Sequence, residues 1–373
     1  MDTKVLKIDS EKDYWNVIRE AAYCLQNGGL VVFPTETVYG LGANAIDPAT
    51  LNRLHGVKNR PKDKPFTVHI GARSAVDRFV PDLKGLGRRF TQKAWPGPLT
   101  LIFNVENIEE APVIRDTSPQ HGPAMYHQGT IGIRCPDDQI ASNLLNETTI
   151  PVVAASANPA GSNAPVNADE ALATLEGKVE LVIDAGTTRY AKASTIVQVN
   201  RNGYEILREG VLDERTIRRL ATVNILLVCT GNTCRSPMAA GLFRRMLAER
   251  IGCQDHELDE HGFYVESAGT GAFANAKASI PAITAMKTRG IDISNHKSQP
   301  LRLEQIDRAD YIFTMTAHHL DTVTAISAVI GKQARRIDDS DIDDPIGGSD
   351  EVYENCAKRL EKALRCRLEE LSF

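Results

Sequence analysis

Apolar positions along this chain follow two rhythms. Short unbroken apolar runs bounded by Gly, Pro, Asn or Ser read as strands buried on both faces, and apolar residues three and four apart read as helices with one buried stripe. In the first part of the chain the runs fall at residues 30–33, 66–70, 99–103, 131–134, 152–155, 181–184, 196–199 and 204–208. Ahead of them Tyr14, Trp15, Ile18, Ala21, Ala22 and Leu25 mark a helix that Ser10 can cap and Asn27-Gly28-Gly29 stops. Residues 104–130 read as a long polar connection, with His121 and His127 at its surface. Beyond residue 222 a run at 224–228 precedes a helix with Pro237 in its first turn and Met238, Leu242, Phe243, Met246 and Leu247 along its buried face. Further strands follow at 264–267 and 310–315, with a helix from about residue 278 to Gly290. Strand alternating with helix predicts a small, doubly wound parallel sheet. No internal repeat is visible.

A length of 373 residues suffices for two domains, each with its own core. The boundaries expected are 1–210 for the first, 211–222 for a charged helix or linker, and 223–373 for the second. The net charge of −5 divides as 25 basic against 26 acidic residues up to position 221, and 18 against 22 after it. Neither part has the basic excess of a strong nucleic-acid binder, which leaves room only for transient RNA contact through a local patch. No apolar run reaches membrane-spanning length and the charged start is no signal peptide. Seven scattered cysteines without metal-ligand spacing fit reduced thiols and a cytoplasmic location, with no metal site.

The chemistry is most open in Cys229-Thr230-Gly231-Asn232-Thr233-Cys234-Arg235-Ser236-Pro237. A strand that ends in a cysteine and turns directly into a helix aims backbone N–H groups and a helix N-terminus at one small volume, a nest for a tetrahedral dianion. The same positive end is expected to lower the pKa of Cys229 and populate the nucleophilic thiolate. Arg235 can grip two phosphate oxygens with its planar fork, and Ser236 can donate to the thiolate. Gly231 and Asn232 suit left-handed backbone in the tight loop. Cys229 and Cys234 stand close enough for a disulfide under oxidation. The cysteine-to-serine run resembles the signature of the low-molecular-weight protein tyrosine phosphatase family, over about residues 223–370. That resemblance implies Asp344, followed by Pro345 within an acidic run, as general acid, and a phosphocysteine that water then hydrolyses without a cofactor. Like-charge crowding in the run is expected to raise the pKa of Asp344. Phosphotyrosine enzymes of the family carry aromatics after Asp-Pro, whereas Ile346-Gly347-Gly348-Ser349 follows here, and Thr233 replaces an aliphatic residue. Both features resemble the protein-arginine-phosphatase branch; phosphotyrosine hydrolysis and arsenate reduction are the alternatives.

In the first part, Pro34-Thr35-Glu36-Thr37-Val38-Tyr39-Gly40-Leu41-Gly42 is a loop too rich in hydroxyls and glycines for a mere connection. A basic cluster of Lys58, Arg60, Lys62 and Lys64 would suit a triphosphate. Together with Pro96-Gly97-Pro98-Leu99-Thr100, Ser156-Ala157-Asn158 and Ser194-Thr195-Ile196-Val197, these segments resemble the YrdC-type threonylcarbamoyl-AMP synthases over about residues 15–210. The resemblance implies an α/β domain with a large, mixed, twisted sheet. Its activity would be synthesis of threonylcarbamoyl-adenylate from L-threonine, bicarbonate and ATP with Mg2+, feeding tRNA modification. By the same resemblance Thr37, His69, Arg134 and Ser194 would form the threonine pocket, with Arg134 on the carboxylate. Lys58, Arg60, Lys64, Thr130, Ser156, Asn158 and Arg208 would contact ATP. Gln198 after Ser-Thr-Ile-Val, Ala193 before it and Ala160 depart from the family pattern. The competing reading is a non-catalytic RNA- or nucleotide-binding module joined to a phosphatase acting on phosphoproteins.

Overall fold

Val31, Val32 and Phe33 are all fully buried, which a strand achieves only when both faces of its sheet are covered. The computed structural model describes residues 2–8, 11–200, 203–326 and 333–371, so the expected cap at Ser10 lies outside the described residues. The chain separates into two units, residues 1–220 and 221–373.

The first unit holds ten strands: β1 (Lys4–Lys7), β2 (Val31–Phe33), β3 (Gly40–Asn44), β4 (Thr67–His69), β5 (Leu99–Asn104), β6 (Thr130–Arg134), β7 (Val152–Ser156), β8 (Leu181–Asp184), β9 (Thr195–Asn200) and β10 (Gly203–Arg208). They form one mixed sheet in the order β1-β8-β2-β3-β7-β4-β6-β5-β9-β10. The helices Glu11–Gln26 and Gln139–Glu147 bury Ile18, Ala21, Leu25 and Leu144 against Val31, Phe33, Val152 and Ile183. Trp15, expected on that buried stripe, is instead 46% exposed.

Two of these strands escape a reading by apolar runs. β1 is an edge strand, Lys-Val-Leu-Lys, with mostly exposed side chains. β3 corrects the reading of Gly40-Leu41-Gly42 as loop. Its five residues are all buried, and a Cβ at Gly42 would stand 2.9 Å from the ring of Phe33. The glycines there serve close packing between strands rather than a turn. Residues 104–130 are likewise no simple polar connection. Four short helices, Ile108–Glu110, Pro112–Asp116, Pro119–His121 and Gly122–Met125, fold this segment over Ala111, Val113, Ile114 and Met125, all buried. The expected linker is mostly helix, Glu214–Ala221, and Thr195 Oγ1 ties its entrance to β9 through Gly210 N, Leu212 N and Leu212 O at 2.7–3.0 Å.

The second unit has four parallel strands, β11 (Val223–Cys229), β12 (Phe263–Gly269), β13 (Tyr311–Thr314) and β14 (Gln333–Arg336), in the order β12-β11-β13-β14. Side chains alternate along β11 as strand geometry requires. Ile225, Leu227 and Cys229 join a core with Met238, Phe243, Leu247, Leu360 and Leu364 of the helices Arg235–Ile251 and Asp350–Glu369. Leu226 and Val228 pack on the other face with Ile306 and Val323 of the helices Leu303–Arg308 and Ala317–Ile326. Fully burying each large apolar side chain contributes about 1.5–3 kcal/mol. Since β11 is flanked by strands that follow it on both sides, its carboxyl end lies at the switch point where such sheets bind ligands. Among the described residues no helix is long and apolar enough to cross a membrane.

Candidate active sites

In the first unit the sheet register builds a polar row. His69 pairs with Arg134, Arg134 with Thr100, and Thr100 with Ile196, so four neighbouring strands present these side chains to one face. That face carries a cavity of about 350 Å³. Lys58, Arg60, His69, Arg134, Ser156, Asn158, Ser194 and Arg208 all line it. Its lining draws on several strands of the mixed sheet: His69, Arg134, Ser156 and Arg208 close β4, β6, β7 and β10.

Arg134 is buried, and its Nη2 donates to Thr37 Oγ1 at 2.5 Å and to Thr35 Oγ1 at 3.4 Å. The same nitrogen stands 3.1 Å from Glu36 Oε2. Arg134 Nε is buried without a partner, so a donor remains for an anion. Burial, reinforced by Arg134, takes His69 down to about 3; the ring is neutral, 3.0 Å from the carbonyl of Thr67 through Nδ1. Ser194 Oγ lies 2.9 Å from Thr100 Oγ1, and Arg208 donates to the carbonyl of Ser194 at 2.8 Å.

The basic cluster is less free than its sequence implies. Lys58 is buried at the end of the helix Pro48–Lys58, and its ammonium donates to the carbonyls of Ser156 and Asn158. Burial, then the charge of Arg60, lowers it to about 8. Arg60 donates to the carbonyls of Lys64 and Pro65 at 3.2 and 2.7 Å and lies over the ring of Phe66. Lys64 itself is exposed and outside the cavity. Thr130 shares the face of Arg134 along β6 but also lies outside the lining, its hydroxyl donating to His127 O at 2.8 Å. Asn158 Oδ1, like Arg134 Nε, is buried without a partner. Glu36, 2% exposed, and Thr100 are the residues that sequence reasoning passed over. Both sit inside segments already quoted for the family resemblance, Glu36 in the hydroxyl-rich motif and Thr100 at the end of Pro96-Gly97-Pro98-Leu99-Thr100, but only the register sets Thr100 beside Arg134.

In the second unit Cys229 ends β11 at the foot of the loop 229–236. Its Sγ is 3.0 Å from Ser236 Oγ and accepts from Asn232 N at 3.2 Å. Asn232 is the left-handed residue, φ 53°, whereas Gly231 has no positive φ. Fully buried, Asn232 donates through Nδ2 to Ser236 Oγ (2.8 Å) and Ser267 Oγ (2.9 Å), and its Oδ1 accepts from Gln299 N (2.9 Å). Ser236 Oγ accepts from Asn232, which leaves its hydrogen for the cysteine sulfur at 3.0 Å or the more distant carbonyl of Ala268 at 3.5 Å. Thr233 is half-buried at the rim, with Cys234 Sγ 3.7 Å from its hydroxyl. Cys229 and Cys234 are both free thiols, Cys234 lying 3.3 Å from both Ser279 Oγ and Tyr353 OH.

The expected thiol acidity is corrected. Burial pushes the Cys229 thiol up, against the opposing donors Ser236 and Asn232 and the charge of Arg235. Arg235, whose charge opposes that rise, is itself ion-paired with Asp344 and donates to Ile342 O at 2.9 Å. Its charge is largely answered before any anion arrives. The crowding expected around Asp344 is also absent. Asp338 pairs with Arg359 and Asp341 with Arg336, while Asp344 Oδ2 faces Arg235. His296 and His319, each bonded to this loop, were missed; at 64 and 89 residues from their partners, no local signal could have found them.

Residues 23–210 match the profile of the Sua5, YciO and YrdC family, described as telomere recombination, and residues 224–372 that of low molecular weight phosphotyrosine protein phosphatase. A threonylcarbamoyl-AMP synthase of Pyrococcus abyssi is 30% identical over 249 residues, 66% of this chain and 69% of that protein. A protein-arginine-phosphatase of Bacillus subtilis is 36% identical over 152 residues, 38% of this chain and 93% of the relative. The crystal structure of P. abyssi Sua5 complexed with L-threonine superposes with a TM-score of 0.51 at 21% identity, over 97% of this chain and 98% of that one. That last likeness is one of fold.

Proposed function

Because the chain belongs to the Sua5/YciO/YrdC family over residues 23–210 and to the low molecular weight phosphotyrosine protein phosphatase family over residues 224–372, we propose that it is a bifunctional enzyme. Its first part makes threonylcarbamoyl-AMP from L-threonine, bicarbonate and ATP, and its second removes phosphate from protein arginine. Both parts belong to enzyme families, and the division proposed is 1–210 for the first, a linker over 211–222, and 223–373 for the second.

The observation that carries the first activity is the pair of unpartnered buried groups in one cavity, Arg134 Nε and Asn158 Oδ1. Arg134 would take the carboxylate of threonine, with Thr37, His69 and Ser194 around it. Lys58, Arg60, Ser156, Asn158 and Arg208 would hold ATP, with Thr130 and Lys64 at the margin. Among the described residues no cluster of His, Cys, Asp or Glu suits a metal, so magnesium would enter on the phosphates of ATP. The protein's own contribution is positioning and neutralisation of charge.

In the second activity substrate displaces Asp344 from Arg235, the Cys229 thiol proton passes to the Asp344 carboxylate, and the Sγ thiolate attacks phosphorus, so that an S–P bond forms and the P–N bond breaks. Asp344 gives its proton to the leaving guanidino nitrogen. Water then attacks the phosphocysteine, its proton passes to Asp344, and the thiolate leaves. Arg235 must exchange Asp344 for phosphate oxygens as substrate enters, which frees the acid at the moment it is needed. Thr233 and the absence of aromatics among the four residues directly after Pro345, Ile346 to Ser349, support phosphoarginine over phosphotyrosine.

Two assays on the intact chain test these readings. Pyrophosphate release should require threonine, bicarbonate and ATP together; ATP binding without turnover would make the first part a binding module. Phosphate release should be faster from a phosphoarginine peptide than from a phosphotyrosine peptide, and the reverse order would assign the second part to phosphotyrosine.

A further inference from the structure

His319 is 3% exposed, yet it contributes to no apolar cluster and touches no substrate group in the mechanism above. Its ring bridges two hydroxyls. Nδ1 lies 2.8 Å from Thr316 Oγ1, and Nε2 lies 2.9 Å from Thr230 Oγ1. Thr230 is the first residue after the nucleophile, exposed at the mouth of the loop.

The hydrogen-bond inventory orients this chain. Thr316 precedes the helix Ala317–Ile326, and its oxygen accepts the backbone N–H of His319 at 3.3 Å. Its hydroxyl hydrogen is then available to Nδ1. Among the described residues no other acceptor is bonded to that hydrogen, so it is assigned to Nδ1, which puts the ring proton on Nε2, facing Thr230 Oγ1. Arg235 Nη2 donates to the same oxygen at 3.3 Å. With two donors aimed at it, Thr230 Oγ1 is filled as an acceptor, and its own hydrogen must point elsewhere. A neutral ring is required throughout. Burial, then the charges of Arg235 and His318, takes His319 down to about 4.

We propose that His319 is a positioning residue of the phosphatase site: it holds Thr230 as an acceptor, so that the Thr230 hydroxyl hydrogen is left for an oxygen of the bound phosphoryl group. In the opposite tautomer Thr230 would give that hydrogen to the imidazole, and the phosphoryl group would meet a lone pair instead of a donor. The ring, which does not itself touch the substrate, thus selects the polarity of the hydroxyl that does. This inference rests on the phosphate-binding reading of the loop.

The test compares two amides of different reach, in the full chain, with inorganic phosphate as the probe. His319→Gln places an N–H near the position of Nε2, whereas His319→Asn reaches only as far as Nδ1. Phosphate affinity, measured by calorimetry, should stay within about twofold of wild type in His319→Gln and fall roughly tenfold in His319→Asn, one charge-assisted hydrogen bond's worth. In a Thr230→Val background that difference should vanish. Equal affinities for the two amides, or a difference that survives Thr230→Val, would overturn the proposal. Thr230→Val alone replaces an exposed side chain and should itself weaken phosphate binding roughly tenfold; unchanged binding would also overturn it. Binding is measured without turnover, so a wild type that binds phosphate but hydrolyses neither phosphopeptide would sink the phosphatase assignment while leaving this cycle readable.

Discussion

At the residue scale, Thr233 is the proposed determinant of what the second site prefers. A guanidinium presents N–H donors beside the scissile bond, and the Thr233 hydroxyl, whose sulfur neighbour at 3.7 Å is a weak partner, can accept from one. Thr233→Ile would leave that donor unpaired, at about 1–3 kcal/mol, and offer an apolar wall to a phenyl ring. Turnover of phosphoarginine should fall by roughly tenfold or more and that of phosphotyrosine should rise, read as kcat/KM for both peptides. An unchanged ratio would remove Thr233 from the specificity argument. Lys58 carries a pH prediction in the other site. Its ammonium is held to about 8, below the 10.5 of a free lysine, so the folded chain binds fewer protons than the unfolded one between those values. Stability therefore rises with pH across that window while the charge facing ATP is lost. The KM for ATP should climb above pH about 8 although the melting temperature does not drop. In Lys58→Arg the climb should be absent.

At the element scale, β12 shows how a strand end shapes a catalytic loop. Gly269 closes β12, and a Cβ there would lie 2.3 Å from the carbonyl oxygen of Thr230 and 3.0 Å from Asn232 N. No L side chain fits without moving the loop, and displacement of a reacting group by about 1 Å can cost on the order of 100-fold. Gly269→Ala should therefore lower phosphatase kcat/KM at least tenfold while threonine-dependent pyrophosphate release is unchanged. Full activity in that variant would show that the loop can yield there. The phosphate loop is thus set by its neighbour in the sheet as much as by its own residues.

At the scale of the whole molecule, each site is assembled entirely from residues of its own unit. Cys229→Ser should abolish phosphate release and leave synthesis within about twofold, and Arg134→Ala should raise the threonine requirement without touching phosphatase turnover. Assaying both reactions in both variants checks this; a loss that crosses from one activity to the other would reveal coupling that neither site's geometry supplies.

The sequence by itself determined whatever is local. Strands such as β5, β6 and β8 are apolar enough to declare themselves, and the loop from Cys229 to Ser236 carries the proposed nucleophile, the proposed anion nest and a helix start within a few residues. The composite motifs likewise marked Lys58, Arg60, His69, Arg134, Ser156 and Ser194, which the fold gathers around one cavity. Only the tertiary structure decided what those groups face. Register, not spacing, sets His69, Arg134 and Thr100 side by side. Long-range pairing turns Arg235 toward Asp344, and burial then drives the Cys229 thiol up where helix position alone argued down. Acidity and hydrogen-bond direction depend on every charge and dipole within a few ångströms. Most of those neighbours come from segments far along the chain, where no local pattern records them.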